Sequence, residues 1–341
     1  MKIKQGLKKN KERLSFMKNK RVLITGGLGF IGSNLACRCL ELGANVTIFD
    51  CLDPHSGGNL YNIHDIRDSV ELVLSDILNF DEVSRHIINK DILFNCSAST
   101  SHPFSMKEPW IDLEVNCKGV INLLEATRRF NKQIKFVHVG TSTQLGKLHF
   151  KPADENHPEF PTDIYSANKS VSEKYALIYG NAYNIPVTVI RFSNVFGPRA
   201  SIHSSDFTFV NYFIGLALQD REITVYGKGV QLRNVIYVED CISALIKASE
   251  SNRSEGEVFF VAGDQHYSVA EIANMIVKYI GSGKVKFVEW PMDRKVTEIG
   301  DAVISNEKMK KILAWKPQYG FAQGLVKTRT FFKKHLGEYL R

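Results

Sequence analysis

The sequence predicts an α/β fold: a doubly wound parallel sheet with a smaller lobe built from the C-terminal part of the chain. Three observations carry that prediction. Short β-branched apolar runs alternate with helical stretches through the first half of the 341 residues. Most of the runs are continuously apolar rather than alternating, as strands covered on both faces require. A glycine-rich turn joins the first run to the first helical stretch. Strands are expected over 21–25, 45–49, 70–74, 91–95, 134–139, 186–191 and 235–238, and helices over 30–42, 115–130 and 166–183. The β-α-β-α order implies parallel pairing. After Arg191 the rhythm breaks at Gly197, Pro198 and a polar stretch over 201–205. Segments 207–218, 267–280 and 307–315 then read as the second lobe. The expected division is a basic, poorly ordered tail over 1–18 and a dinucleotide-binding unit over 19–190, to which 234–262 return. The substrate lobe is expected from 191–233 and 263–335.

The first element with chemistry is Thr25-Gly26-Gly27-Leu28-Gly29-Phe30-Ile31-Gly32, which leaves a strand and opens a helix. Glycines at 26, 29 and 32 allow a tight turn, close approach of a pyrophosphate, and packing of the helix on the sheet. The helix N-terminus then faces the phosphate charge. This is the Rossmann-type fingerprint, and its next element is Asp50, at the end of the second strand. A carboxylate there accepts hydrogen bonds from adenosine ribose hydroxyls and repels a 2′-phosphate, so NAD rather than NADP is expected. Ser75-Asp76-Ile77 ends the third strand, where Asp76 either reaches an adenine amino group or serves the turn.

Further along, Tyr165-Ser166-Ala167-Asn168-Lys169 places a lysine one helical turn from a phenol. A free phenol, with a pKa near ~10, is a poor base at neutral pH. A positive charge ~5 Å away, at an effective dielectric of ~20, is worth roughly 3 kcal/mol, on the order of two pKa units. That predicts a phenolate accessible near neutral pH. The Tyr–Lys spacing alone is common; its place 24 residues after Thr141 gives it weight. Thr141 lies in Val139-Gly140-Thr141-Ser142-Thr143-Gln144-Leu145-Gly146, at the carboxyl end of a strand, where ligands bind in such sheets. Its hydroxyl either shares the substrate's reacting oxygen with Tyr165 or makes a strand-end turn.

Charge narrows the partners. The net charge is +8, and the residues through Arg21 hold nine Lys/Arg and one acid, while the 320 residues after them carry 35 basic and 35 acidic groups. A nucleic-acid enzyme spreads basic charge over a face of its fold, so no nucleic-acid partner is expected. The tail has no apolar core of a signal peptide, Met17 opens a second plausible start, and no stretch of 18 apolar residues exists to cross a membrane. Six scattered cysteines without metal-ligand spacing read as reduced, buried thiols of a cytoplasmic protein, and no metal site is expected.

With these features in order, the chain resembles the extended short-chain dehydrogenases, specifically the nucleotide-sugar epimerase/dehydratase family, from about Lys20 to Phe331. Other matching stretches are Glu114-Val115-Asn116 through Leu124-Glu125-Ala126, Arg191-Phe192-Ser193-Asn194-Val195-Phe196-Gly197-Pro198, Val225-Tyr226-Gly227-Lys228-Gly229 with Arg233, Tyr237-Val238-Glu239-Asp240 and Trp315-Lys316-Pro317. The resemblance implies Tyr165 as catalytic base, Lys169 as its pKa modulator and a nicotinamide-ribose ligand, and Thr141 as the hydroxyl partner. It implies that Phe30, Ile31, Ile77, Asn116 and Phe192 join Gly26, Gly29, Gly32, Asp50 and Asp76 in holding NAD. Asn194, Arg233 and Arg294 would contact the diphosphate of a nucleotide-sugar, and the helices over 115–130 and 166–183 would pair in a homodimer.

Departures from the family pattern sharpen the expected reaction. Sugar-nucleotide 4,6-dehydratases follow the catalytic threonine with Asp-Glu, where this chain has Ser142 and Thr143; the glutamate of uronate decarboxylases, matching Thr143, is also missing. Neither hydroxyl is a good acid or base at neutral pH. Leu145, Asn234 and Asn95-Cys96 replace a frequent Tyr, Asp and His-Leu. The expected activity is C4 epimerisation through a 4-keto intermediate. C2 epimerisation, 4,6-dehydration, 4-keto reduction and a non-catalytic NAD-binding role are the alternatives.

Overall fold

The continuously apolar runs become the middle of one sheet. The computed structural model describes residues 16–292 and 298–340, so the first fifteen residues of the expected tail and Arg294 lie outside the described residues. Strands in chain order are β1 (Arg21–Thr25), β2 (Asn45–Asp50), β3 (Glu71–Leu74), β4 (Ile92–Asn95), β5 (Lys135–Thr141), β6 (Val187–Phe192), β7 (Asn194–Phe196), β8 (Glu222–Tyr226), β9 (Leu232–Tyr237), β10 (Glu257–Val261), β11 (His266–Ser268) and β12 (Lys284–Val288). Seven of them form a parallel sheet in the order β3-β2-β1-β4-β5-β6-β10. β4 and β6 are buried along their whole length, as runs such as Val187-Thr188-Val189-Ile190 demand, while the edge strand β3 alone is exposed at both ends.

Helices α1 (Phe30–Glu41), α2 (Phe80–Ile87), α3 (His102–Lys107), α4 (Pro109–Leu113), α5 (Gly119–Phe130), α6 (Ile164–Tyr183), α7 (Phe209–Leu218), α8 (Val238–Ser249), α9 (Val269–Ile280), α10 (Glu307–Leu313) and α11 (Phe321–His335) cover the sheet and build the lobe. α1 and α8 pack together on one face; α2, α5 and α6 pack on the other. One apolar core lies under each layer, and the first runs on into the lobe through Phe213, Ile214, Ile272, Ile276 and Leu325. The lobe adds a three-stranded sheet, β11-β9-β7, and the parallel pair β12-β8.

The structure corrects several expectations. The strand read over 235–238 does not return to the main sheet: β9 pairs with β7 and β11, while α8 and β10 do go back to it. The helix read over 115–130 starts as a π turn over Glu114–Lys118 and becomes α-helical at Gly119. Among the cysteines, Cys51 is exposed. The folded body also begins earlier than Asn19. Met17 is fully buried in the main core, and its carbonyl accepts a hydrogen bond from the Lys20 amide at 3.0 Å. Residues 16–18 therefore belong to the body. Met17→Ala should cost about 2–5 kcal/mol in urea unfolding, the range for a buried methionine; a cost near zero would show that this turn is not part of the cooperative core.

Candidate active site

The carboxyl ends of β1, β2, β4, β5 and β6 open into a cavity of about 400 Å³ that also meets Phe207, Thr208 and Asn211 of the lobe. One end is shaped by the glycine turn. Gly26 sits at φ +67°, and a Cβ on it would come 2.7 Å from the Cys96 backbone; a Cβ on Gly32 would come 2.2 Å from the Gly26 carbonyl oxygen. These two glycines are demanded by the protein itself. Gly29 is not: its nearest neighbour would be the Gly26 oxygen at 3.2 Å, and it lines the cavity. Its missing side chain leaves room for a ligand. Gly29 is also the N-cap of α1 and offers no side-chain cap. The first amides of the helix, at Phe30, Ile31 and Gly32, therefore stand at the cavity wall, ready for an anion.

Asp50 closes this end. Its Oδ2 accepts from the Leu28 amide at 2.9 Å and its Oδ1 from the Leu52 amide at 2.8 Å. Burial pushes its carboxyl up, and these two amides partly offset that. Each oxygen keeps a lone pair for a ribose hydroxyl. Asp76 spends one oxygen on the Leu78 amide at 2.9 Å, and with Ile77 lines the same wall. Asn116 does not reach the cavity. It is buried in the π turn and donates to the Ser99 carbonyl at 2.9 Å, so it supports the loop after β4 from behind.

Thr141, Tyr165 and Lys169 line the same cavity, as do Phe192 and Asn194. Thr141 is the last residue of β5, and Tyr165 and Lys169 are in the first turns of α6, all three buried. Asp163 caps α6 by accepting from the Ser166 amide at 2.8 Å, and Ser105 accepts from the Tyr165 amide at 3.1 Å. The Lys169 ammonium donates to the Val139 carbonyl at 2.7 Å. Burial pushes the Tyr165 phenol well above its ordinary value; a hydrogen bond with Thr141 opposes that, and Asp112 and Asp163 add to it. Burial also pushes Lys169 down, to about 8. In the free chain, burial works against the phenolate expected near neutral pH. Desolvation is the largest influence on the phenol, and Lys169, itself pushed toward its neutral form by burial, turns its ammonium to the Val139 carbonyl.

The site also holds Thr143, already marked in the sequence as a departure, and His102, which the sequence did not announce. Thr143 lines the cavity; its hydroxyl is 3.1 Å from that of Thr141 and accepts from Ser166 at 2.9 Å. His102 lines it too: its Nδ1 is 2.8 Å from Asp163 Oδ2, and its ring meets Tyr165 edge-on at 4.8 Å. A capping Ser101 followed by Pro103 marks a helix start in the sequence, which puts His102 at its first position; its partner is 61 residues away. Arg233 is not brought to the cavity. It donates to the Gly300 carbonyl at 2.6 Å and pairs with Glu298 at 2.8 Å. Asn194 lines the cavity with its amide nitrogen held by the Asn234 carbonyl at 2.8 Å. The family model of GDP-mannose 4,6 dehydratase matches residues 23–328.

The chain belongs to that family. It is 31% identical over 331 residues to UDP-glucuronic acid decarboxylase 1 of Xenopus tropicalis, covering 95% of this chain and 74% of that one. To UDP-glucose 4-epimerase of Mycolicibacterium smegmatis it is 29% identical over 317 residues, 92% and 98% of the two chains. Among solved structures, UDP-glucose 4-epimerase of Thermus thermophilus in complex with NAD superposes with a TM-score of 0.81 at 27% identity, over 92% of this chain and 99% of that one. The family comprises NAD-dependent nucleotide-sugar epimerases, dehydratases and decarboxylases of the extended short-chain dehydrogenase type. In the segment after Thr141 this chain carries the hydroxyls of Ser142 and Thr143.

Lys169 gives a stability test. Its folded pKa lies below its ordinary value of 10.5, so the unfolded chain holds the proton up to a higher pH. The cost of the buried charge is full below about 8 and fades between about 8 and 10.5. Lys169→Met should therefore raise the melting temperature of the dinucleotide-free protein at pH 7, on the order of 2 kcal/mol after loss of its hydrogen bond. The gain should shrink as the pH rises through that window. A melting temperature that falls at pH 7, or a gain independent of pH, would contradict the buried-charge account.

Proposed function

We propose that this protein is an NAD-dependent nucleotide-sugar epimerase acting at C4. The observation that carries the reading is the convergence of Thr141, Tyr165 and Lys169 on one cavity wall without a carboxylic acid at Ser142 or Thr143. The residues fit the dinucleotide: a bare glycine and free helix amides for the pyrophosphate, and Asp50 for the adenosine ribose. NAD held there would supply the hydride acceptor.

Tyr165 takes the proton of the sugar 4-hydroxyl, and Thr141 shares that oxygen by hydrogen bond. Burial holds the phenol protonated in the free chain, so base action needs a cation beside it; Lys169 is the protein's own. Tyr165 returns the proton to the same oxygen when the configuration at C4 is inverted. Thr143 is committed to Ser166 and Thr141 and has no acidic proton to drive loss of water. Asn194, Phe207, Thr208 and Asn211 offer the lobe's side of the cavity to the nucleotide. Exposed Trp110, Val171 and Ile178, on α4 and α6, support a homodimer that pairs α5 and α6 with their copies.

Incubation with NAD and a panel of UDP-glucose, UDP-N-acetylglucosamine, UDP-glucuronate and dTDP-glucose should give an isobaric product resolved by chromatography and NMR. Loss of water or of carbon dioxide would replace the epimerase reading with a dehydratase or a decarboxylase. Tyr165→Phe should keep NAD binding and lose about 10²–10⁴-fold in turnover; near-normal turnover would end the mechanism. Calorimetry should show NAD binding at least about tenfold tighter than NADP, through the charge of Asp50. Equal affinities would remove that role.

A further inference from the structure

His102 and Tyr165 face the same cavity from adjoining elements, α3 and α6. Three contacts fix the histidine. Pro103 and the Ser101 cap set it at the start of α3, and Ser101 accepts from the Phe104 amide at 3.1 Å. The next side chain but one, Phe104, stacks on His55 of the loop after β2 at 5.1 Å. The imidazole is tied through Nδ1 to Asp163 at 2.8 Å. Asp163 also caps the helix that carries Tyr165, so one carboxylate sets both the imidazole and the phenol.

The polarity of the pair follows from the carboxylate. Burial pushes Asp163 up, but His102 and Ser166 outweigh it and hold the carboxyl below its ordinary range. An ionised carboxylate only accepts, so the shared proton sits on Nδ1. With Nδ1 committed to Asp163, Nε2 is the ring nitrogen left for a ligand, and no hydrogen bond to Nε2 forms among the described residues. The Tyr165 ring is 4.8 Å away. Both side chains line the cavity, so a sugar that meets Tyr165 there lies against a wall that also carries the imidazole. We infer that His102 is a substrate-binding residue that accepts a hydrogen bond from a hydroxyl flanking the carbon Tyr165 serves, so that the site selects hexoses keeping that hydroxyl. This rests on the epimerase reading above. An acceptor built into a site rejects an analogue lacking the donor far more strongly than an apolar wall does.

The test is steady-state kinetics on UDP-glucose and UDP-galactose, with NAD affinity measured alongside by calorimetry. His102→Phe keeps a ring against Tyr165 and removes both nitrogens; His102→Gln restores an acceptor. Asp163→Asn keeps the cap, since asparagine caps as well as aspartate, and frees the imidazole. The expected result is a KM raised at least about tenfold in His102→Phe with kcat within about threefold and NAD affinity unchanged. His102→Gln should recover part of the KM and Asp163→Asn should fall between. An unchanged KM in His102→Phe overturns the inference while leaving the epimerase reading intact. So does a joint loss of kcat and NAD affinity, which would make His102 a support for the fold. Where the wild-type protein is silent on both sugars, the same series is run on the panel member it epimerises; a protein that epimerises none of the panel removes the epimerase reading and this inference with it.

Discussion

Tyr165, Lys169 and Glu173 follow one another at four-residue steps along α6, and all three face inward. A helix normally turns its apolar stripe to the core; this one turns a polar stripe, with Ser166, Asn168 and Ser172 also buried. Each of these groups must find a partner or carry an unmet desolvation cost. The rest of the fold answers that demand. Val139 takes the Lys169 ammonium, Asp112 accepts from Asn168 at 2.8 Å, and Arg191 on β6 binds Glu173 through Nε at 2.8 Å. Arg191 reaches Glu159 as well, and its guanidinium lies over the Phe260 ring at 5.3 Å. The order of β5 and β6 in the sheet puts Val139 and Arg191 where α6 needs them.

That arrangement leaves the Tyr165 phenol and the Lys169 ammonium desolvated at the cavity. Burial drives the phenol and the ammonium toward their neutral forms, in opposite directions on the pH scale. Neither shift serves stability. Both make the pair sensitive to a charge brought into the cavity, where low dielectric magnifies any Coulombic effect.

Much of this was legible in the sequence, for reasons that differ by element. Strands β1, β2, β4, β5 and β6 announce themselves because a strand covered on both faces must be apolar throughout. The glycine turn is legible because two of its glycines answer local clashes, as Gly26 and Gly32 do. The Tyr165–Lys169 spacing is a property of one helix. What stayed hidden depends on partners distant in the chain. β9 is a short apolar run like the others, and only its pairing with β7 and β11 puts it in the small sheet. Arg233 has the chemistry of a phosphate ligand, yet Glu298 and Gly300 hold it away from the cavity. The departure at Asn234 also became intelligible only in three dimensions. Its amide accepts from Ser193 and Gly263 and donates to the Gly263 and Gln265 carbonyls, and a carboxylate has no hydrogens for the latter two.

The central claim is that the Tyr165 end moves a proton and a hydride at one sugar carbon and returns both, breaking no other bond. Turnover in D2O of the nucleotide-hexose that the protein accepts tests it directly, with deuterium located in the product by NMR. Hydride withheld from solvent and returned to C4 leaves every carbon-bound position free of deuterium while the configuration at C4 inverts. Deuterium at C5 or C6, the mark of elimination and re-addition, or deuterium at C4 would contradict the account.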